Sequence, residues 1–231
     1  MKIAIMGAMQ EEITPLLEFF GKYETIEFGK NKYYVTTYKG LELVIAYSKI
    51  GKVNASLTAS TLIEKFGATK LLFSGVAGAV NPSLKIGDLI VATKLAQHDL
   101  DITAFGHPHG FVPEGSVFVE TDSTLMALAQ KVALDKKIVL QKGIIATGDQ
   151  FICDEQKKEW IEKTFNADAL EMEGASVAVV CDALGVPFFV LRAISDAADM
   201  DAGFSFDEFL NSSAKVSASF IIAMLDEIAH D

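Results

Sequence analysis

The stretch ALEMEGASVAVVCDALGVPFFVLRAISDAAD, Ala169 to Asp199, reads as strand, helix, strand. Ala169–Met172 is short and mostly apolar, and Glu171-Met172-Glu173-Gly174 breaks the run. Ala175 to Leu184 is almost entirely apolar, as in a buried helix. Gly185 supplies the stop, and Pro187 follows where a helix cannot continue. Phe188–Ala193 is an apolar run between turn residues, the pattern of a strand buried on both faces of a parallel sheet. On this reading Ser195 and Asp196 fall just past its carboxyl end, where ligands gather in open α/β sheets. Glu173 leaves the first strand on the same edge. Taken singly, Glu173 reads as a first-turn carboxylate favoured by the helix dipole, and Asp196 as a turn residue. Together, flanking such apolar elements, they point to a site, because a stray acid there is costly to bury.

Working outward, the chain has 231 residues, within range for one α/β domain spanning 1–231, and half of them are hydrophobic. Lys and Arg total 20 against 31 Asp and Glu, a net charge of −11, which argues against nucleic acid or anionic membrane as partner. The single arginine is Arg192. Cys153 and Cys181 have neither CxxC nor metal spacing and read as free thiols of a reducing compartment. Met1-Lys2 runs straight into an apolar strand, and no run reaches membrane-span length, so the expected location is the cytoplasm.

At the amino end, Ile3–Met6 predicts a buried strand, with Gly7-Ala8 a tight exit. Met9–Phe20 has helical spacing, with Ile13, Leu16, Leu17 and Phe20 on one face. Glu12 lies in its first turn; from this segment alone it reads as a solvated acid, but it too follows a strand. Tyr33–Tyr38 and Leu41–Tyr47 around Lys39-Gly40 predict a hairpin, and Val53–Phe66 a helix. Lys70–Phe73 predicts a strand, and Ser74 to Ala79 a small-residue turn open to close backbone approach. That turn lacks both the P-loop and the dinucleotide-binding pattern. After the strand Leu89–Ala96 comes a long loop, His98–Phe118. Its His107 and His109 have no second ligand cluster, so a metal is not expected. Its Phe105, Phe111 and Pro113 mark a lid or partner contact. Ser123–Leu134 and Asp154–Phe165 predict helices, Gly143–Thr147 a strand, and Phe206 to Ile228 a closing helix capped by Ser205 with Glu208.

Eight segments in order carry a wider likeness: MGAMQEE (6–12), KIGKVNA (49–55), SGVAGA (74–79), DITAFG (101–106), GDQFI (148–152), EMEGAS (171–176), RAISDAAD (192–199) and SFDEF (205–209). With their spacing, the chain resembles the bacterial 5′-methylthioadenosine/S-adenosylhomocysteine nucleosidases of the purine nucleoside phosphorylase superfamily. AYSKIGKV, QHDLDITAFGHP and GFVPE resemble the subgroup that also cleaves 6-amino-6-deoxyfutalosine on a route to menaquinone. The resemblance implies a single-domain α/β fold with a central mixed sheet of eight to nine strands flanked by helices. It implies hydrolysis of adenosine-type nucleosides to adenine and a 5-substituted ribose, without cofactor or metal, in methionine salvage, menaquinone synthesis or both. Methylthioadenosine, adenosylhomocysteine, 5′-deoxyadenosine and aminodeoxyfutalosine all stand as candidate substrates.

Carried over, the resemblance makes Glu12 the base that activates water and Asp196 the acid that protonates adenine N7. Glu173 would bind the ribose hydroxyls, with Met172 against the sugar. Phe151 would pack on adenine, and the Ile152 backbone would bond its edge. Ala77 and Gly78 would line the base site, and Ser195 would steady Asp196. Met9, Ile50 and Phe206 would surround the sugar and 5′ group. Ile102, Phe105 and Pro113 match positions that enter a neighbouring subunit's site, which implies a homodimer. Val76 and Gly174 depart from the serine and alanine of some relatives.

These residue types suit the chemistry. Departure of the base leaves positive charge on ribose and negative charge on the base; an acid near N7 offsets one and a carboxylate the other. Two rivals remain. A phosphorylase would clamp phosphate with arginines, of which there is one, and Glu12 would repel the anion. A binding protein that had lost catalysis would be marked by loss of Glu12, Glu173 or Asp196, and all three are present.

Overall fold

The computed structural model describes residues 1–199 and 201–230. Ten strands form one mixed sheet among these residues: β1 (Lys2–Gly7), β2 (Glu24–Phe28), β3 (Asn31–Tyr38), β4 (Leu41–Tyr47), β5 (Lys70–Ala79), β6 (Leu89–Gln97), β7 (Phe118–Glu120), β8 (Leu140–Thr147), β9 (Ala169–Glu171) and β10 (Phe188–Asp196). The helices are α1 (Gln10–Phe20), α2 (Lys52–Ser60), α3 (Ser123–Lys136), α4 (Glu155–Phe165), α5 (Gly174–Ala183) and α6 (Ala202–Ile228). Strands follow the order β10-β6-β8-β9-β5-β1-β4-β3-β2, with β7 on β6. A further β10–β5 pairing closes β10, β6, β8, β9 and β5 into a ring, from which β1, β4, β3 and β2 extend as an open sheet.

Side chains alternate between the two faces, as the pleat requires. Ala4, Met6, Leu71, Phe73, Phe188 and Val190 join one core with Ala59 of α2 and Val177 of α5. Ile3, Ile5, Leu72, Phe189 and Leu191 join the other with Ile13 of α1, Leu125 of α3 and Phe220 of α6. Helices thus cover both faces, which is why the central strands read as unbroken apolar runs.

The structure corrects several expectations. Ser74 to Ala79 is not a turn: β5 runs through it, pairing with β10 from Leu71 to Gly78. Its glycines serve lateral packing against side chains instead of chain reversal. Ser195 and Asp196 close β10, after a register shift between Ile194 and Asp196, and do not lie beyond it. β9 and β10 do not form a parallel unit: β9 is antiparallel to β5, and β10 is parallel to it. Their shared neighbour, not a crossover, brings Glu173 and Asp196 together. Ser205 lies inside α6, whose N-cap is Asp201. The helix expected to reach Phe66 changes to a π-helical turn at Thr61–Lys65. Among the described residues the sheet has ten strands where the resemblance implies eight to nine, and the two that local sequence does not mark are β2, an exposed edge strand, and β7, three residues long.

Phe189 is wholly buried between β10 and the α6 side of the sheet. Phe189→Ala is expected to cost about 3–5 kcal/mol of stability, read as a lowered urea midpoint at unchanged slope. A midpoint matching the wild type would show that this face of the sheet is loosely packed.

Candidate active site

The carboxyl-terminal half of β5 forms the floor of a cavity of about 290 Å³. Twelve of the residues named from sequence line it: Met9, Glu12, Ile50, Ala77, Gly78, Phe151, Ile152, Met172, Glu173, Ser195, Asp196 and Phe206. Its wall also includes Val76, Gln150, Leu170, Glu171 and Ala198. Ile102, Phe105 and Pro113 are not among the lining residues; Phe105 is 80% exposed on a single 3-10 turn of the long loop.

Glu12 occupies the third position of α1 and folds back over the helix start. One carboxylate oxygen accepts the N–H groups of Ala8 (2.6 Å) and Met9 (3.0 Å), and the other accepts Val76 N–H (2.9 Å). The helix's unpaired first donors and the β5 backbone thereby fix one buried acid. Burial raises its pKa, opposed by the charge of Arg192 and by these three donors.

Asp196, at the end of β10, accepts Ser195 Oγ (2.9 Å) and Ala198 N–H (2.8 Å). Burial raises its pKa against both bonds. Glu173 caps α5 and accepts Gly51 N–H at 2.8 Å. Burial, reinforced by the neighbouring Glu171, pushes its pKa up to about 8. Phe151 and Phe206 meet edge to face at 5.7 Å on the cavity wall.

Two glycines make this convergence possible. A Cβ on Gly75 would lie 2.6 Å from Glu12 Oε1 and 3.3 Å from Arg192 Nη1. A Cβ on Gly78 would lie 2.6 Å from Asp196 Oδ1.

Glu171 was not singled out from the sequence, and it holds the centre of the charge network. It accepts Arg192 Nη2 (2.7 Å), Gly174 N–H (2.7 Å), Glu173 N–H (3.2 Å) and the Thr147 hydroxyl. Arg192 also donates to Leu191 C=O and lies over the Phe73 ring at 4.0 Å. The lone arginine is 1% exposed, enclosed on every side. One arginine among so many acids, in a strand core, was the available signal that a buried acid partner was required. Among the described residues no group of three or more His, Cys, Asp or Glu is placed to hold a metal, and no helix is long and apolar enough to cross a membrane.

The family model of the phosphorylase superfamily matches residues 2–226. The chain belongs to that superfamily. Within it, the chain is 64% identical to an aminodeoxyfutalosine nucleosidase of Campylobacter jejuni over 228 residues, covering 99% of this chain and all of that one. The native structure of futalosine hydrolase from Helicobacter pylori superposes with a TM-score of 0.97 at 53% identity, over 98% of this chain and 97% of that one. So does the H. pylori 5′-methylthioadenosine/S-adenosylhomocysteine nucleosidase with butyl-thio-DADMe-Immucillin-A, with a TM-score of 0.97 at 54% identity over 98% of both chains. This chain is thus a phosphorylase-superfamily member of the nucleosidase branch, and seven of the eight sequence segments, all but 101–106, contribute residues to one cavity.

Glu173 supplies a pH test. Its folded pKa is raised from 4.5 to about 8, so its contribution to stability is complete below pH 4.5 and is lost as pH rises through about 8. Glu173→Gln, which cannot ionise, should flatten the decline in Tm across that window. Equal pH slopes for variant and wild type would mean that Glu173 titrates normally.

Proposed function

We propose that the protein hydrolyses the N-glycosidic bond of 5′-substituted adenine nucleosides, releasing adenine and a 5-substituted ribose. 6-Amino-6-deoxyfutalosine, 5′-methylthioadenosine, S-adenosylhomocysteine and 5′-deoxyadenosine are its substrate class. The observation that carries this reading is the meeting of Glu12, Glu173 and Asp196 in one cavity, beside an arginine already committed to Glu171. The names of the related nucleosidases and the nucleoside analogue bound by one of them point the same way.

Bond cleavage leaves the ribose cationic and the purine anionic. Asp196, whose pKa burial raises, gives its proton to adenine N7, and Ser195 fixes the orientation of the carboxyl group. Glu173, oriented by Gly51 N–H, binds the ribose hydroxyls. Met172 packs on the sugar. Phe151 covers the base, the Ile152 backbone bonds its edge, and Ala77 and Gly78 let it lie close to β5. Met9, Ile50 and Phe206 enclose the 5′ side. Glu12 takes a proton from the attacking water as the new bond to the anomeric carbon forms. Its raised pKa makes it a stronger base than an exposed glutamate. Phosphate in that place would meet the Glu12 carboxylate and an arginine whose fork is occupied, so water is the nucleophile.

We further propose a homodimer in the cytoplasm. Phe105, Val53, Leu57 and Ile50 are exposed apolar side chains, each unfavourable in water by about 25 cal/mol per Å² of apolar area. A second subunit would cover them and bring Ile102, Phe105 and Pro113 to its partner's 5′ subsite. The unpaired Cys153 and Cys181 suit a reducing compartment.

Asp196→Asn should fold normally and lose roughly 10²–10⁴-fold in adenine release. A near-native rate would remove Asp196 from the mechanism. Adenine release by the wild type should be equally fast with and without phosphate, and the sugar should carry a free anomeric hydroxyl. Ribose 1-phosphate as main product would make the protein a phosphorylase.

A further inference from the structure

Asp99 lies outside the cavity lining, two residues beyond the end of β6, yet its carboxylate holds two of the loops that form the cavity. One oxygen accepts Lys52 Nζ at 2.6 Å; the other accepts Asp149 N–H at 2.8 Å. Asp149 in turn accepts Lys52 N–H at 2.8 Å, which closes a triangle of three residues from three segments. Gln97 Oε1 is a second acceptor for Lys52 Nζ, at 3.3 Å. The Lys52 and Asp99 side chains are only 18% and 16% exposed, so the pair is shielded from solvent far more than an ordinary surface ion pair.

Each arm of the triangle ends beside a proposed substrate contact. Gly51, next to Lys52, gives its N–H to Glu173. Its backbone has φ +99°, and a Cβ there would meet Asp149 Oδ1 at 3.0 Å, so only glycine both adopts that conformation and lets Asp149 approach. Asp149 begins the segment Gln150-Phe151-Ile152 that lines the cavity. Packing reinforces the same joint. His98 donates its N–H to Thr147 C=O at 2.9 Å, and its buried ring lies where a Gly148 Cβ would be, 2.3 Å from the nearest ring atom. Neither ring nitrogen has a partner among the described residues, and burial lowers its pKa to about 4, so the imidazole is a neutral wedge.

We propose that Asp99 is a positioning residue that, through Lys52 and Asp149, locks the Gly51 loop to the 148–152 loop. The carboxylate that binds ribose and the wall that covers the base thereby keep a fixed separation. The catalytic half of this statement rests on the nucleosidase reading; the mechanical half does not.

The test compares wild type, Asp99→Ala, Lys52→Ala and the double variant by amide hydrogen exchange and by adenine release well below each Tm. Asp99→Ala should speed exchange in both 50–53 and 148–152 while the sheet core stays protected. It should also lower kcat/KM roughly 10–100-fold, the scale of a misplaced catalytic contact. The double variant should be no worse than either single one, as for two members of one unit, and Lys52→Arg should retain most of the rate. Unchanged exchange at 50–53 in Asp99→Ala would overturn the lock. Faster exchange with unaltered kcat/KM, against an active wild type, would overturn its role in positioning. A wild type inert toward every adenine nucleoside would sink the nucleosidase reading instead, and hydrogen exchange would still decide the lock.

Discussion

Two carboxylates occupy the space of two absent side chains on one strand. Gly75 and Gly78 both lie on β5, and the oxygens of Glu12 and Asp196 stand 2.6 Å from where their Cβ atoms would be. Any larger residue at either position displaces an acid or the strand. Everything else at the site is arranged around that strand. β1 delivers α1 and Glu12 from one side, β10 delivers Asp196 from the other, and β9 runs back along the end of β5 to deliver Glu173. The β10–β5 pairing that closes the ring hydrogen-bonds the strand carrying Asp196 directly to the strand that Glu12 approaches.

So many buried acids raise a charge problem, and the chain solves it unequally. Glu171 takes the one arginine, two helix N–H groups and a hydroxyl. That arrangement satisfies both ions of a pair which would otherwise be costly to bury. Glu12 receives three backbone donors and the nearby arginine charge. Glu173 and Asp196 receive fewer donors, and burial moves all three acids toward the protonated form. The same accounting bears on the choice of nucleophile, since the only guanidinium is already engaged by Glu171 and the carbonyls of Phe73 and Leu191.

Much of the site was legible in the sequence because strand ends and small residues leave local traces. Glu173 and Asp196 interrupt apolar runs, and Glu12 follows a strand by one short turn. Twelve of the residues named from the segment resemblance line the cavity together. The misreadings share one cause. Ser74 to Ala79 has the composition of a turn, and only its neighbours show that glycine there serves side chains of other elements. Glu171 carries no local mark of its role, which shows only when Arg192, distant in sequence, is placed beside it. Asp99 carried no local signal at all, because its meaning lies in Lys52 and Asp149, about fifty residues away on either side.

By itself the sequence determined the α/β class, the apolar cores, the helix faces and the candidate acids at strand ends. Those follow from periodicity and residue type, which act over a few residues. Tertiary structure alone decided strand direction and order. Hydrogen bonding between β5 and β9 is antiparallel and between β5 and β10 parallel, and apolar runs buried on both faces suit either. It also decided which acid pairs with the arginine, since Coulomb attraction and shared desolvation depend on distance in space and not along the chain.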